Sequence, residues 1–214
     1  TGLGVEIEVC KRLPMGGGLG GGSSDAATAL IALNRLWQLG LSRGRLQELG
    51  LRLGADVPFF VFGRNAFAEG VGEKLVPVSL PRAWYVVISP RVSVPTAAIF
   101  AARELTRNTA PIKIADFAVV ATRNDLEPVA RARFPEVGAV IDWLRQHGPA
   151  RMTGSGACVF AEVASEAAAR EVVSACPPEW RGWWAKSLDL QGLSKTAEEK
   201  LRRISPSSKF GGDG

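Results

Sequence analysis

Six glycines crowd the stretch Pro14-Met15-Gly16-Gly17-Gly18-Leu19-Gly20-Gly21-Gly22-Ser23-Ser24, and no other segment limits the fold of this chain so strongly. Backbone without side chains can take positive φ and lets an anion approach closely. Ahead of it, Val5, Ile7 and Val9 alternate with Glu6 and Glu8, a period of two that predicts a half-buried strand over residues 1–11. Behind it, Ala26, Ala27, Leu30, Leu33, Leu36 and Trp37 recur at helical spacing, with Ser23 or Ser24 placed to cap that helix and Gly40 to end it. Strand, glycine loop and helix in this order build a phosphate site. Loop N–H groups converge on the anion, and the helix adds its unsatisfied N–H groups and the positive end of its dipole. The hydroxyls of Ser23 and Ser24 suit phosphate or a magnesium ion. A flexible linker is the competing reading, and its position between a strand and a helix argues against it.

Ser42 predicts the cap of a second helix reaching Leu53, with Gly54 as its stop. Residues 59–62, 66–68 and 85–89 read as short strands, the last closed by Pro90, and Pro95 opens a helix continuing over residues 97–105. Residues 136–147 are helical, with Val137, Val140, Ile141 and Leu144 on one face. A second glycine loop at residues 153–156 leads into a strand over residues 158–163, then an alanine-rich helix over 165–175 and a last strand over 183–188. Strands and helices mix without strict alternation, so the fold class is α+β rather than a doubly wound parallel sheet. Two halves are expected to part near Pro90–Pro95, as residues 1–88 and 89–190. Residues 191–214, rich in Ser, Lys, Glu, Gly and Pro, read as a solvated or disordered tail.

Composition removes several function classes. The chain has 214 residues and no apolar run of the ~18 needed to span a bilayer, and its start lacks the features of a secretion signal. A cytoplasmic protein without membrane partners is expected. Cys10, Cys158 and Cys176 are odd in number and widely spaced, which speaks against disulfides or a structural metal site and for buried free thiols. The net charge is +5, of which residues 191–214 hold +2 (five bases less three acids). That suits an anionic small molecule, and no basic run with interleaved aromatics points to nucleic acid.

Rival phosphate motifs fail. A Walker loop ends in Gly-Lys-Ser/Thr, and no lysine lies in this loop. The dinucleotide fingerprint fits only in part and lacks its ribose-binding acid between Asn34 and Glu48. His147, the sole histidine, sits at a helix end, so histidine-assisted nucleophilic catalysis has no material. Asp56, between Ala55 and Val57 at the end of a helix, is the candidate general base. Taken alone, a lone carboxylate in such a place is usually a helix-end or turn residue.

Pro14…Gly18-Leu19-Gly20…Ser23-Ser24-Asp25-Ala26 resembles the phosphate loop of the GHMP kinases. So do four further segments in order: Leu53-Gly54-Ala55-Asp56-Val57-Pro58, Phe67-Ala68-Glu69-Gly70-Val71-Gly72-Glu73, Pro95-Thr96, and Thr153-Gly154-Ser155-Gly156-Ala157-Cys158. The likeness extends over residues 5–190. It implies a ribosomal protein S5 domain 2-like N-terminal part and a ferredoxin-like C-terminal part. It also implies ATP and Mg2+ as cofactors, and a monomer or weak homodimer. Within the family it is similar to the branch that phosphorylates the 2-hydroxyl of 4-diphosphocytidyl-2-C-methyl-D-erythritol, in the non-mevalonate isoprenoid route. A sister kinase of homoserine or mevalonate type, or a non-catalytic nucleotide-binding remnant, are the alternatives.

By the same resemblance Lys11, Pro14, Gly16, Gly17, Gly18, Leu19, Gly20, Gly21, Gly22, Ser23 and Ser24 hold ATP. Asp56 is catalytic and touches substrate, as do Thr96, Phe100, Thr153, Gly154, Ser155 and Gly156. Phe100 offers a face for a cytosine, although its pattern alone also fits a core residue. Members of the family normally carry an upstream Pro-x-Lys-x-Asn-type segment that supplies a lysine. Nothing precedes Thr1, so the resemblance implies an enzyme lacking that segment and inactive, or nearly so, without it.

Overall fold

The run Trp84–Ser89 (β3) is apolar without alternation because it is covered on both faces: Val86 and Ile88 are fully buried and Val87 nearly so. In the computed structural model, which describes residues 3–114 and 122–188, this strand is flanked on each side in an antiparallel sheet of order β4-β5-β3-β6. Its partners are Ala150–Met152 (β4), Val159–Val163 (β5) and Arg181–Lys186 (β6). Val86 stands opposite Ala161 on one side and Trp184 on the other. Helices Glu127–Arg133 (α5), Pro135–Leu144 (α6) and Glu166–Ser174 (α7) complete the core. The expected face of α6 is its buried one: Val137, Val140, Ile141 and Leu144 are fully enclosed, each such side chain being worth ~1.5–3 kcal/mol. Ser165 caps α7 by accepting from the Ala168 amide.

The chain forms two compact units, one of residues 4–22 and 81–187 and the other including residues 23–80. β3 thus lies entirely with the later elements, whereas the expected boundary at 88/89 would cut it. The first unit also holds the short helix Thr96–Phe100 (α4), whose Ile99 enters the same core. The other unit carries most of the helix Gly21–Leu36 (α1), then Arg43–Leu51 (α2), Val57–Phe62 (α3) and the hairpin Ala66–Glu69 (β1) with Lys74–Pro77 (β2). Its core joins Ala27, Leu46, Val57 and Val61. The Asn34 side chain grips Leu41 through both its amide and its carbonyl, at 2.9 and 3.0 Å, and so fixes the turn after α1.

Helices and strands mix as an α+β fold requires, and several local expectations are corrected. Residues 3–11 form no strand, and Val5, Ile7 and Val9 are about half exposed. Alternation makes a strand only where a neighbour supplies hydrogen bonds and an apolar face, and no described strand pairs with this stretch. Residues 59–62 are helical, not extended. Pro58 sits in the first turn of α3, Gly63 takes the left-handed C-cap at φ 71°, and Val57 and Val61 meet the core one turn apart. α1 starts at Gly21, so Ser23 and Ser24 lie inside its first turn rather than capping it. Its end comes at Leu36, ahead of Gly40, with Gln38 already left-handed. β2, α5 and β4 were not foreseen as elements. Cys10 is exposed and Cys176 half-buried; only Cys158 is enclosed as expected. Residues 191–214 lie outside the described residues.

Candidate phosphate-binding site

Every second residue from 16 to 20 is a glycine with positive φ: Gly16 at 69°, Gly18 at 72° and Gly20 at 67°. Alternation of left- and right-handed backbone curls a chain so that successive N–H groups face one concave side, the geometry that receives a phosphate. The loop then runs straight into α1.

The loop does not hold this shape alone. It rests on residues 153–158, which join β4 to β5. The Thr153 hydroxyl donates to the Gly18 carbonyl at 2.8 Å, and the Cys158 amide donates to the Gly17 carbonyl at 3.1 Å. The two backbones touch. A Cβ on Gly18 would overlap the Thr153 carbonyl, lying 2.9 Å from its carbon, and one on Gly17 would stand 2.7 Å from Cys158 Sγ. A Cβ on Gly154 would stand 3.2 Å from the Gly18 Cα and carbonyl oxygen. Two glycine loops 135 residues apart therefore form one built structure. Burial pushes the Cys158 thiol above its ordinary value, with a smaller opposing effect from Ser89, so it stays a neutral packing group.

The expected substrate residues of this unit gather beside that structure. Thr96 opens α4, and its Oγ1 lies 2.7 Å from Oγ of buried Ser155. Phe100, at the end of α4, is 51% exposed, so it is not the core residue its pattern also allowed. Its carbonyl accepts from Arg107 Nη2. Gly156, enclosed and at φ 96°, completes the turn by donating to the Thr153 carbonyl at 3.0 Å. Pro14 and Leu19 are half-buried, and Lys11 is exposed in the extended stretch that leads into the loop.

In the other unit, Ser24 accepts from Thr28 Oγ1 through its carbonyl at 2.8 Å, which leaves the Ser24 hydroxyl to other partners. Asp56 is exposed immediately before α3 and makes no capping bond with its side chain. The motif at residues 67–73 spans most of β1 and the turn that leads into β2. There the Glu73 carboxylate, held below the usual range by its own N–H and that of Val71 at 2.7 Å, closes the turn. His147 packs its ring 4.8 Å from Trp143, a structural contact at the end of α6.

Sequence reading missed the residues that hold the second loop. Asn124 Nδ2 donates to the carbonyls of Met152 at 2.9 Å and Gly154 at 2.8 Å, and the Glu127 carboxylate accepts from the Met152 amide at 3.0 Å. These partners lie 25 to 30 positions apart, so no local pattern announces them.

An α+β scaffold in which one glycine loop, leading into a helix, is locked onto a second is the framework of a candidate nucleotide-binding protein. Two family models match the chain: GHMP kinases N terminal domain over residues 1–64 and GHMP kinases C terminal over residues 102–181. It is 68% identical over 186 residues to 4-diphosphocytidyl-2-C-methyl-D-erythritol kinase of Aromatoleum aromaticum, covering 87% of this chain and 66% of the relative. The protein of the same name from Azoarcus sp. is 67% identical, with 88% and 67% covered, and that from Thiobacillus denitrificans 65%, with 90% and 69% covered. A crystal structure of 4-(cytidine 5'-diphospho)-2C-methyl-D-erythritol kinase superposes with a TM-score of 0.71 at 36% identity, covering 82% of this chain and 68% of that one. Homoserine kinase from Cytophaga hutchinsonii, with a TM-score of 0.64 at 19% identity over 84% and 68% of the two chains, shares the fold. The chain belongs to the GHMP kinases, a family of ATP-dependent small-molecule kinases. It spans about two thirds of the length of the curated relatives.

Proposed function

We propose that the protein transfers the γ-phosphoryl group of ATP to the 2-hydroxyl of 4-diphosphocytidyl-2-C-methyl-D-erythritol, in the cytoplasm and within isoprenoid precursor synthesis. The observation that carries the ATP half is the positive-φ series Gly16, Gly18 and Gly20, locked onto Thr153 and Cys158. The acceptor half is supported by the names of relatives 65–68% identical to it.

On this reading residues 14–24 hold the triphosphate, with Lys11 beside it. The hydroxyl oxygen of the acceptor forms a bond to the γ-phosphorus while the bond from that phosphorus to the β-bridging oxygen breaks. Asp56 accepts the hydroxyl proton, and ADP leaves. Charge spreading over the transferred group is met by loop N–H groups and the positive end of α1. Thr96 and the loop at residues 153–156 position the erythritol end, and exposed Phe100 stacks on the cytosine. Magnesium would arrive with the nucleotide. The hydroxyls of Ser23 and Ser24 are hard oxygen donors that fit it, and such ions keep most of their shell from phosphate and water. A monomer or weak homodimer acting on a free anionic small molecule, without nucleic acid, completes the proposal. Among the described residues no helix is long and apolar enough to cross a membrane.

The test is transfer from labelled ATP to the cytidine-diphosphate acceptor, homoserine and mevalonate, measured in parallel on the full-length gene product. Preference for the cytidine-diphosphate acceptor by more than tenfold in kcat/KM supports the reading. Equal or greater turnover of another alcohol assigns a sister kinase, and no turnover of any leaves a nucleotide-binding protein.

A further inference from the structure

Asn124 stands outside every motif named above, yet both polar atoms of its side chain are engaged. Its Oδ1 accepts from the Leu126 amide at 3.0 Å, which fixes the side chain in a turn at the start of α5. Its Nδ2 then points both of its hydrogens at carbonyls of the second glycine loop, those of Met152 and Gly154. Those carbonyls bracket Thr153. Thr153 is the residue whose hydroxyl holds the Gly18 carbonyl, and whose own carbonyl lies where any Gly18 side chain would be. One primary amide thus clamps the chain on either side of the contact that shapes the phosphate loop. Alternatives are poor. A carboxylate would turn both donated bonds into oxygen–oxygen repulsion, and a hydroxyl has one hydrogen for two acceptors.

We infer that Asn124 is a positioning residue for nucleotide binding: it fixes the height and tilt of Thr153, and through Thr153 the curl of residues 16–20. The two backbones are in close register there: the Thr153 hydroxyl bond is 2.8 Å, and the Thr153 carbonyl occupies the place a Gly18 Cβ would take. The consequence for nucleotide rests on the proposed function above; the effect on loop docking does not.

Two readouts keep these apart. The first is hydrogen exchange at the Cys158 amide, which donates to the Gly17 carbonyl and so reports docking of the two loops with no ligand present. The second is affinity for magnesium AMP-PNP by calorimetry. Asn124→Ala and the isosteric Asn124→Asp are compared with Val140→Ala, a fully buried core variant of α6 that makes no hydrogen bond to either loop through its side chain. In both Asn124 variants we expect exchange at Cys158 to quicken at least tenfold relative to amides of the β3–β5 ladder, and AMP-PNP to bind at least tenfold more weakly. Val140→Ala should lower Tm without moving either quantity. Unchanged exchange at Cys158 overturns the inference whatever the affinity does, and so does quickened exchange with unaltered affinity. If the parent protein binds no AMP-PNP while exchange still quickens, the positioning role stands and the nucleotide reading falls.

Discussion

Gly18 is the residue at which the loop contact is least forgiving. Its φ of 72° strains any side chain, and its contact with the Thr153 carbonyl leaves no room for one. Gly18→Ala should destabilise the protein by about 2–5 kcal/mol: ~1–2 for a left-handed alanine and ~1–3 for overpacking. Urea denaturation measures this, and a loss below 1 kcal/mol would mean that the two loops part easily. Asp56 tests the chemistry instead. It is exposed and makes no capping bond, so Asp56→Asn should leave Tm and nucleotide affinity nearly intact while kcat falls ~10²–10⁴-fold, the usual contribution of a general base. Turnover within threefold of the parent would reduce Asp56 to a turn residue. The curl of the glycine loop could be read from sequence because its positive-φ residues lie within one short run of glycines. Asn124 could not be, because its meaning comes from carbonyls 28 and 30 positions away.

Elements were legible where the pattern is long or capped. α6 and α7 each show their buried face at helical spacing, and Ser42 and Ser165 cap where a helix start was expected. α3 was not legible, since an apolar run of four residues has no period of its own. Its ends decide, above all Gly63. Gly63→Ala imposes a left-handed alanine and brings a Cβ to 3.0 Å from the Arg43 guanidinium. That arginine donates to the carbonyls of Val61 and Phe62. A loss of about 1–2 kcal/mol is expected in urea denaturation; no loss would show that the arginine, not the glycine, closes α3. α5 and α6 are joined by the paired bonds of Arg131 to Asp142, both 2.9 Å. The bond from Arg131 is the main cause holding the Asp142 carboxyl below its usual range. A carboxyl depressed by folding stabilises above its unfolded pKa and loses that contribution as pH falls through the folded value. The Tm of the parent should therefore exceed that of Asp142→Asn near neutral pH, with the gap closing below pH ~4. A gap independent of pH would show that the pair does not contribute as a charge interaction.

At the scale of the whole molecule, the α+β class and the order of the motifs were readable, because each motif is local and their sequence along the chain is itself informative. The stretch at residues 3–11 was not, because alternation promises a strand only when another strand meets it. Nor was the placement of the glycine loop. Its residues 14–20 precede α1 in sequence but pack with the unit built on β3, through contacts spanning 135 positions. The central claim is that this packed loop is the seat of a nucleotide triphosphate. Calorimetric titration of magnesium AMP-PNP into the protein and into Gly20→Val tests it most directly. Gly20 is left-handed at φ 67°, where a β-branched residue is strained and the curl of the loop is lost. The account predicts saturable one-to-one binding by the parent and a loss of at least tenfold, about 1.4 kcal/mol, in the variant. Equal affinity in the two proteins would contradict it.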